Sequence, residues 1–217
     1  MKKNTEQLQP DTYYHIYNRG INGESIFKAE KNYFFFLEKY AFHIEPVAST
    51  YAYCLLNNHF HILIKTRSEK EIFETLTRLG SSETLTRFKT SSTLGKTVSF
   101  YISNQFAKLF NSYTQAINKT TNRTGGLFET PFRRIEVKND AYLSHLIWYI
   151  HYNPQKHGFV NDFRDYIYTS YQSHLIPKAT KLQRKEVLNW FGGEKEYVNF
   201  HSLQTSENKI KDLIIEF

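Results

Sequence analysis

The pair His59 and His61, separated by Phe60, is the pattern in this chain best suited to metal chemistry. Residues 59–66 are predicted to form a β-strand, in which side chains two positions apart point to the same side. Two neutral imidazoles side by side are suitable ligands for one divalent cation. Phe60 would then point into the core and fix the strand. Two structural histidines that bind no metal are the alternative interpretation of this motif.

A second pattern, Tyr149 followed by Asn153 and Pro154, lies near the end of a predicted helix. Residues four apart share one face of a helix, so a phenol and an amide oxygen would be presented together. Asn153 would complete a metal site with the two histidines, and Tyr149 would be a nucleophile beside that metal. In the alternative interpretation Tyr149 is a core residue and Asn153 only ends the helix before Pro154.

The two patterns together predict one reaction that neither predicts alone. A phenol has a pKa of roughly 10, so it needs assistance to attack a phosphate. A divalent cation polarises a phosphodiester and neutralises the charge that develops in the transition state. The product is a covalent phosphotyrosine, and the reverse reaction rejoins strands without ATP. The expected activity is therefore nicking and joining of a nucleic acid strand.

The elements that must position these residues follow the order β-α-β-β-α-β-α. Strands are predicted at residues 12–18, 47–56, 59–66 and 132–137. Helices are predicted at residues 30–44, at 97–119, and from a cap at Asn139 or Asp140 to about 153. The first six elements predict an α+β, ferredoxin-like fold with an antiparallel four-stranded sheet. The last helix, which carries the tyrosine, is expected to cover the other face of the sheet.

Two further segments complete the predicted organisation. Residues 67–96 are polar and rich in Ser and Thr, and we expect a partly helical, mobile insertion there. Residues 1–160 are predicted to form the catalytic domain that contains this insertion. Residues 161–217 are predicted to form a helical extension packed on that domain.

Composition favours a nucleic acid partner. The chain has 217 residues and a formal net charge of +7, which suits a polyanionic ligand, although an unspecialised basic enzyme is the alternative. The single cysteine, Cys54, excludes a disulfide framework and a Cys-rich zinc site. No signal peptide and no membrane-spanning run is apparent, so we expect a cytoplasmic protein.

Four segments in order resemble the REP-associated tyrosine transposases, a family of the HUH single-tyrosine transposase superfamily. They are YHIYNRG (14–20), LLNNHFHILI (55–64), GLFETPFRRIEV (126–137) and YIHYNPQKHGFV (149–160). The stretch YTSYQSHL (168–175) resembles the segment that follows the catalytic helix in that family. The resemblance spans most of residues 13–175.

The resemblance implies a role for each residue of the proposed site. His59 and His61 match the HUH histidine pair, Tyr149 matches the nucleophile, and Asn153 matches the polar residue that completes the metal site. The metal would be Mg²⁺ or Mn²⁺. The reaction would leave a 5′-phosphotyrosine and a free 3′-OH. The substrate would be single-stranded DNA near a hairpin of palindromic repeats, and the biological outcome would be DNA transposition or recombination.

Five further residues are predicted to contact DNA: Arg133, Arg134, Arg19, Asn18 and Lys156. The two adjacent arginines should point to opposite faces of a strand, so we expect only one of them to meet phosphates. For Asn18, Arg19 and Lys156 a turn or surface role is the alternative. The remaining histidines are predicted to be structural; they are His15, His43, His145, His174 and His201.

Two other functions and two assemblies remain open at this point. A non-catalytic or domesticated DNA-binding protein would keep the same fold and basic surface. A hydrolase would use the metal to activate water and leave Tyr149 structural. In smaller relatives the tyrosine helix acts across a dimer, whereas here the extension would hold it against its own sheet. We therefore expect a monomer with a cis site, with a homodimer as the alternative.

Overall fold

The computed structural model describes residues 7–80 and 94–203. The strands are β1 (Tyr13–Arg19), β2 (Ala48–Leu55), β3 (His59–Thr66) and β4 (Arg133–Glu136). The helices are α1 (Glu30–Ile44), α2 (Glu69–Arg78), α3 (Leu94–Thr121), α4 (Leu143–Lys156), α5 (Tyr171–Leu175), α6 (Arg184–Phe191) and α7 (Glu194–Ser202). In the described residues, no helix is both long enough and apolar enough to cross a lipid bilayer.

The four strands form one antiparallel sheet in the order β2-β3-β1-β4. This order and the β-α-β-β-α-β connection confirm the predicted ferredoxin-like arrangement. The register places Tyr17 opposite His61 and Arg19 opposite His59 on β3. On its other side, β1 places Tyr17 opposite Arg133. The strand that carries the histidine motif, β3, therefore lies directly beside β1 at the centre of the sheet.

Each face of the sheet is covered by a different set of helices. The first face carries Ile16, Phe60 and Ile62, which are buried in one core with residues of α1 and α3. The second face carries Leu63, which is buried in another core with Ile147 of α4. The helix that follows β4 thus covers the histidine face, as predicted. Burying both faces removes apolar area from water and fixes α4 over β3.

The predicted insertion begins with a core element. Ser68 and Glu71 form a capping box, because the Ser68 hydroxyl accepts from Glu71 N–H and the Glu71 carboxylate accepts from Ser68 N–H at 2.8 Å. Ile72 and Leu76, on the following turns of α2, are buried against the first core. Residues 69–78 are therefore helical, as expected for part of this segment, and they contribute to the first core. Residues 81–93 lie outside the described residues.

The C-terminal extension packs on α4 and β2, as expected. The Ser170 N–H donates to the Tyr53 carbonyl at 2.9 Å, and the Gln183 N–H donates to the Thr50 carbonyl at 2.9 Å. Tyr197 of α7 is buried in the same core as Ile147. The predicted boundary at residues 160 and 161 therefore does not separate two cores. Residues 204–217 lie outside the described part of the chain.

Candidate active site

The two histidines of β3 share the sheet face that α4 covers. Their rings are 5.3 Å apart between centroids and nearly perpendicular, at 87°. His59 Nδ1 lies 2.7 Å from the Asn58 side-chain oxygen. His61 Nδ1 lies 3.0 Å from His15 Nε2. Each ring is therefore oriented by a bond at Nδ1, which is the arrangement that commonly orients a metal-binding histidine.

Burial keeps both imidazoles neutral at physiological pH. Desolvation lowers the pKa of His59 to about 3, with further contributions from His157 and Arg19. Desolvation, followed by the neighbouring His15, holds the pKa of His61 well below its ordinary value. A neutral imidazole nitrogen is the form that binds a metal. The protonation state of this pair therefore suits coordination.

Tyr149 lies against the histidine pair. Its ring is 5.7 Å from the His61 ring and 6.3 Å from the His15 ring, in edge contacts at 81° and 84°. The register of β3 and the placement of α4 bring these rings together, although they are far apart in sequence. Tyr149 is thus part of the second core and also a neighbour of His61.

Asn153 lies one helical turn after Tyr149 and is fully buried. Its amide nitrogen donates to the Tyr149 carbonyl at 2.7 Å. Its side-chain oxygen is buried and has no hydrogen-bond donor among the described residues. A buried, unsatisfied amide oxygen is energetically unfavourable unless a ligand or a water meets it. This atom is therefore chemically suited to bind a cation.

The helix does not end at Asn153 as predicted. It continues through Pro154 to Lys156. Proline removes one backbone donor but tolerates a helical φ, so the last turn persists. The extra turn carries Lys156, whose ammonium nitrogen lies 5.2 Å from the centroid of the Tyr149 ring. Lys156 thus lies beside the predicted nucleophile.

His15 and His157 are site residues that the sequence analysis missed. His15 was predicted to be structural, but it contacts both His61 and Tyr149. Strand alternation gave a usable signal, because Tyr17 pairs with His61 and His15 lies on the same side of β1 as Tyr17. The ring of His157 lies 4.9 Å from that of His59.

The two adjacent arginines of β4 point to opposite faces, as predicted. Arg133 lies on the histidine face, and its charge acts on the neighbouring Tyr17. Arg134 lies opposite Ile16 and stacks on Phe132, with the guanidinium carbon 3.9 Å from the ring centroid.

Arg19 and Asn18, which are also predicted to contact DNA, both bind Glu129 of the same chain. Arg19 Nε lies 2.6 Å from one Glu129 carboxylate oxygen, and Arg133 lies 3.8 Å from the other. Asn18 is buried, and its amide donates to the Glu129 carbonyl at 3.1 Å while accepting from Arg19 N–H. The structure therefore favours the turn role for Asn18 over the predicted DNA contact.

The candidate metal site depends on Asn153. Within residues 7–80 and 94–203, no three His, Cys, Asp or Glu side chains are gathered closely enough to hold a metal ion. A cation would thus need the amide oxygen of Asn153, or ligands from its substrate, in addition to His59 and His61. Hard divalent cations such as Mg²⁺ often keep only a few protein ligands and take the rest from phosphate and water.

The site is closed to solvent on most sides. Tyr149 and His61 are each 1% exposed, and His59 is 4% exposed. Lys156 is half-buried and His157 is exposed, so both mark the side from which a ligand would approach.

No protein-family model matches the chain. It is 24% identical over 124 residues to a REP-associated tyrosine transposase of Haemophilus influenzae (strain ATCC 51907 / DSM 11121 / KW20 / Rd). The match covers 56% of this chain and 58% of that relative. The chain is thus similar to over half of that protein, in agreement with the motif resemblance.

A solved structure has the same fold. It is described as a REP-associated tyrosine transposase bound to a REP hairpin, and it aligns with a TM-score of 0.56 at 13% sequence identity. The alignment covers 81% of this chain and 85% of that one. At 13% identity the match shows a shared fold. The 24% identity to the Haemophilus influenzae protein is the separate sequence evidence of similarity to REP-associated tyrosine transposases.

Proposed function

We propose that the chain is a metal-dependent DNA strand transferase in which Tyr149 attacks a phosphodiester of single-stranded DNA. The observation that carries the proposal is the contact between Tyr149 and His61, whose rings lie 5.7 Å apart on the covered face of the sheet. A nucleophile beside two neutral, oriented imidazoles is the combination that the reaction requires. A tyrosine that only filled the core would not require neutral, oriented histidines beside it.

The donor set of the site fits a divalent cation. His59 and His61 would bind through Nε2, because Nδ1 of each ring is engaged by Asn58 or His15. The buried amide oxygen of Asn153 would be the third ligand. When bound, Mg²⁺ or Mn²⁺ would polarise the phosphodiester and offset the charge of the transition state.

The residues of the chain position the nucleophile. Tyr149 loses its phenol proton, its oxygen forms a bond to phosphorus, and the bond from phosphorus to O3′ breaks. The leaving oxygen takes up a proton, which gives a 5′-phosphotyrosine and a free 3′-OH. The ammonium of Lys156 lies 5.2 Å from the Tyr149 ring centroid, where it would attract the negatively charged phosphodiester. The same contacts serve the reverse, strand-joining reaction.

DNA with a hairpin is the substrate that we propose. The solved structure with this fold is of a protein bound to a REP hairpin. The net charge of +7 favours a polyanion, and Arg133, Lys156 and His157 border the site. Tyr149 contacts a histidine of its own chain, which supports a cis site in a monomer.

A non-catalytic DNA-binding function on the same fold is the second candidate. The observation in its favour is the burial of Tyr149, which is 1% exposed. This function needs the basic surface, but it does not require DNA to reach the Tyr149 hydroxyl. A hydrolase that uses a metal-activated water is a further alternative, in which Tyr149 would be dispensable.

The test is covalent capture of labelled DNA. The protein is incubated with end-labelled hairpin DNA with single-stranded flanks and Mn²⁺, denatured, and examined for protein-linked label. Tyr149→Phe should abolish the adduct, since it removes the attacking oxygen, but should leave DNA binding within about twofold because the ring packing stays. Tyr152→Phe, three residues along α4, is the matched control and should keep the adduct.

Each other outcome favours a different function. Cleavage that persists in Tyr149→Phe without an adduct contradicts the transferase and favours the hydrolase. Hairpin binding without cleavage at any Mg²⁺ or Mn²⁺ concentration favours the non-catalytic binder. Absence of hairpin binding contradicts both DNA functions.

A further inference from the structure

A cavity of about 360 Å³ lies between α3 and the segment that leads into β4, on the sheet face opposite the histidines. Phe110, Phe128 and Phe132 supply its apolar walls. Phe100 lies at its rim and is 67% exposed. A size near the lower end of small-ligand sites suits a single ring system better than a longer peptide or a helix.

Arg134 is the charged group of this cavity. Its guanidinium stacks on Phe132 at 3.9 Å, and Nη1 lies 3.5 Å from the Ser103 hydroxyl, at the limit of a hydrogen bond. Its Nε is buried without a hydrogen-bond acceptor among the described residues. Burial lowers the pKa of Arg134 from its ordinary value. An arginine whose guanidinium is held in one orientation and keeps an unsatisfied donor is pre-organised for a hydrogen-bond acceptor on a ligand.

The amide groups of the cavity favour a polar, planar ligand. Asn104 and Asn111, both on α3, line the wall. Amides supply both donors and acceptors, and aromatic faces supply stacking surfaces, which together suit the edge and the face of a nucleobase. The ring of Phe132 is already covered by Arg134, so the exposed Phe100 is the stacking surface that faces outward.

A phosphate is a less suitable occupant than a base. Glu129 also lines the cavity, but its carboxylate pairs with Arg19 and Arg133 and so acts little on an occupant. Among the residues that line the cavity, Arg134 is the one cation, and the other walls are aromatic rings, amides and small side chains. These walls suit the face and edge of a base and offer no second cation to a phosphate. Among the bases, guanine offers two adjacent acceptors, O6 and N7, that match the two-pronged arginine donor.

The cavity and the candidate active site lie on opposite faces of the sheet, and the strands that carry their residues are two spacings apart within its plane. Arg134 is on β4, which pairs with β1, and β1 pairs with β3, which carries His59 and His61. Two strand spacings amount to roughly 10 Å across the sheet. Arg133 lies on the intervening sheet edge, on the histidine face. A strand crossing this edge would have one base in the cavity and a phosphate near Tyr149.

We propose that the cavity around Arg134 is a binding pocket for one unpaired guanine of the substrate strand, read by the guanidinium of Arg134. This inference rests on the proposed DNA function and adds a specificity-determining residue to it. Recognition of the base takes place on the face of the sheet opposite the chemistry. The pocket would thereby set which phosphate reaches Tyr149.

The experiment measures binding of single-stranded oligonucleotides in metal-free buffer, where no cleavage occurs. The probes are fluorescent dT12 strands with one central dG, dA, dC or abasic residue. The unaltered protein should bind the dG strand about tenfold more tightly than the others, as expected for one bidentate arginine contact. Arg134→Met and Arg134→Lys should both lose this preference, since neither has the planar fork, while the lysine variant keeps the charge.

The matched control is Arg78→Met, which removes an exposed arginine of α2 and should leave the dG preference unchanged. Asn104→Ala gives a second test if Arg134→Met does not fold, and it should reduce the preference. A dG preference that survives in Arg134→Lys overturns the proposal. So does an equal loss of affinity for all strands in Arg134→Met, which would indicate a phosphate contact.

The proposed function and the pocket fail in different ways. An unaltered protein that binds every strand equally and still forms the Tyr149 adduct overturns only the guanine pocket. A protein that binds no strand and forms no adduct overturns both.

Discussion

His61 is held between two residues from different elements, and its role is defined at the scale of single side chains. His15 of β1 contacts its Nδ1 at 3.0 Å, and the Tyr149 ring of α4 packs against its edge. His59 is held in the same manner by Asn58. Outer partners of this kind fix the tautomer and orientation of a metal-binding ring. The neutral histidines, and not the tyrosine alone, are therefore the features that set the site apart from an ordinary core.

The His15 contact leads to a prediction about metal affinity. His15→Phe keeps the packing of the ring but removes the bond to His61, so Mn²⁺ affinity should fall about 10- to 100-fold. His15→Gln, which retains a hydrogen-bonding group, should recover part of it. Titration calorimetry with Mn²⁺ measures both. The corresponding change at His43→Phe, away from the site on α1, should have no effect.

Unchanged Mn²⁺ affinity in His15→Phe would show that His15 does not orient the ligand. Loss of affinity in His43→Phe as well would indicate a general folding defect, which thermal melts of each variant would detect.

At the scale of elements, α4 is the helix that places Tyr149 beside the histidines of β3. One side carries Tyr149 towards β3, and the other carries His151 towards the C-terminal helices. His151 lies 3.0 Å from His201 and 2.8 Å from the Ser170 hydroxyl, and His174 is 5.9 Å away between ring centroids. The C-terminal extension therefore fixes the helix that carries Tyr149.

The buried histidines of the extension predict a loss of stability in mild acid. Desolvation lowers the pKa values of His174 and His201 to about 4 in the folded chain. In the unfolded chain both pKa values are near 6.5, so unfolding takes up protons between these values. Stability should be full above pH 6.5 and should fall as the pH drops towards 4. The loss by pH 5 is about 2 kcal/mol per histidine.

Urea unfolding at pH 7.5 and pH 5 measures this difference. His174→Gln and His201→Gln should each reduce the pH dependence, whereas the exposed His157→Gln should leave it unchanged. A free energy of unfolding that is the same at both pH values would contradict buried, neutral histidines in the extension.

The sequence predicted the strands and the sheet type, because short periodic patterns specify them; the roles of His59, His61, Tyr149 and Asn153 stay predictions. The His59-Phe60-His61 alternation and the Tyr149 to Asn153 spacing are local, and local geometry decides which side chains share a face. The contact between His15 and His61 was not predictable from spacing alone, since it depends on strand pairing between distant segments. The same holds for α2, whose two buried residues sit in an otherwise polar stretch.

At the scale of the whole molecule, the sheet separates two hydrophobic cores. The histidine face, α4 and the C-terminal helices form one core, and the other face of the sheet, α1, α2 and α3 form the other. The chain as a whole carries a net charge of +7. Since both cores share the sheet, a change in either one is expected to affect global stability.

Two leucines, Leu76 within α2 and Leu79 directly after it, test whether this helix belongs to the first core. Leu76 is 2% exposed, and Leu79, one turn later, is 60% exposed. Leu76→Ala should lower the free energy of unfolding by about 2 to 5 kcal/mol, because it leaves a cavity in the core. Leu79→Ala should change it by less than about 0.5 kcal/mol. Denaturant unfolding of both variants gives the answer, and equal effects would contradict the assignment.

The most direct test of the central claim is to locate the covalent bond between protein and DNA. The adduct formed with hairpin DNA and Mn²⁺ is digested with trypsin and nuclease, and the residual nucleotide is located by fragmentation mass spectrometry. The account predicts a phosphodiester on Tyr149, within the peptide that ends at Lys156 and also contains Tyr142 and Tyr152. A nucleotide on Tyr142, Tyr152 or any residue other than Tyr149 would contradict it.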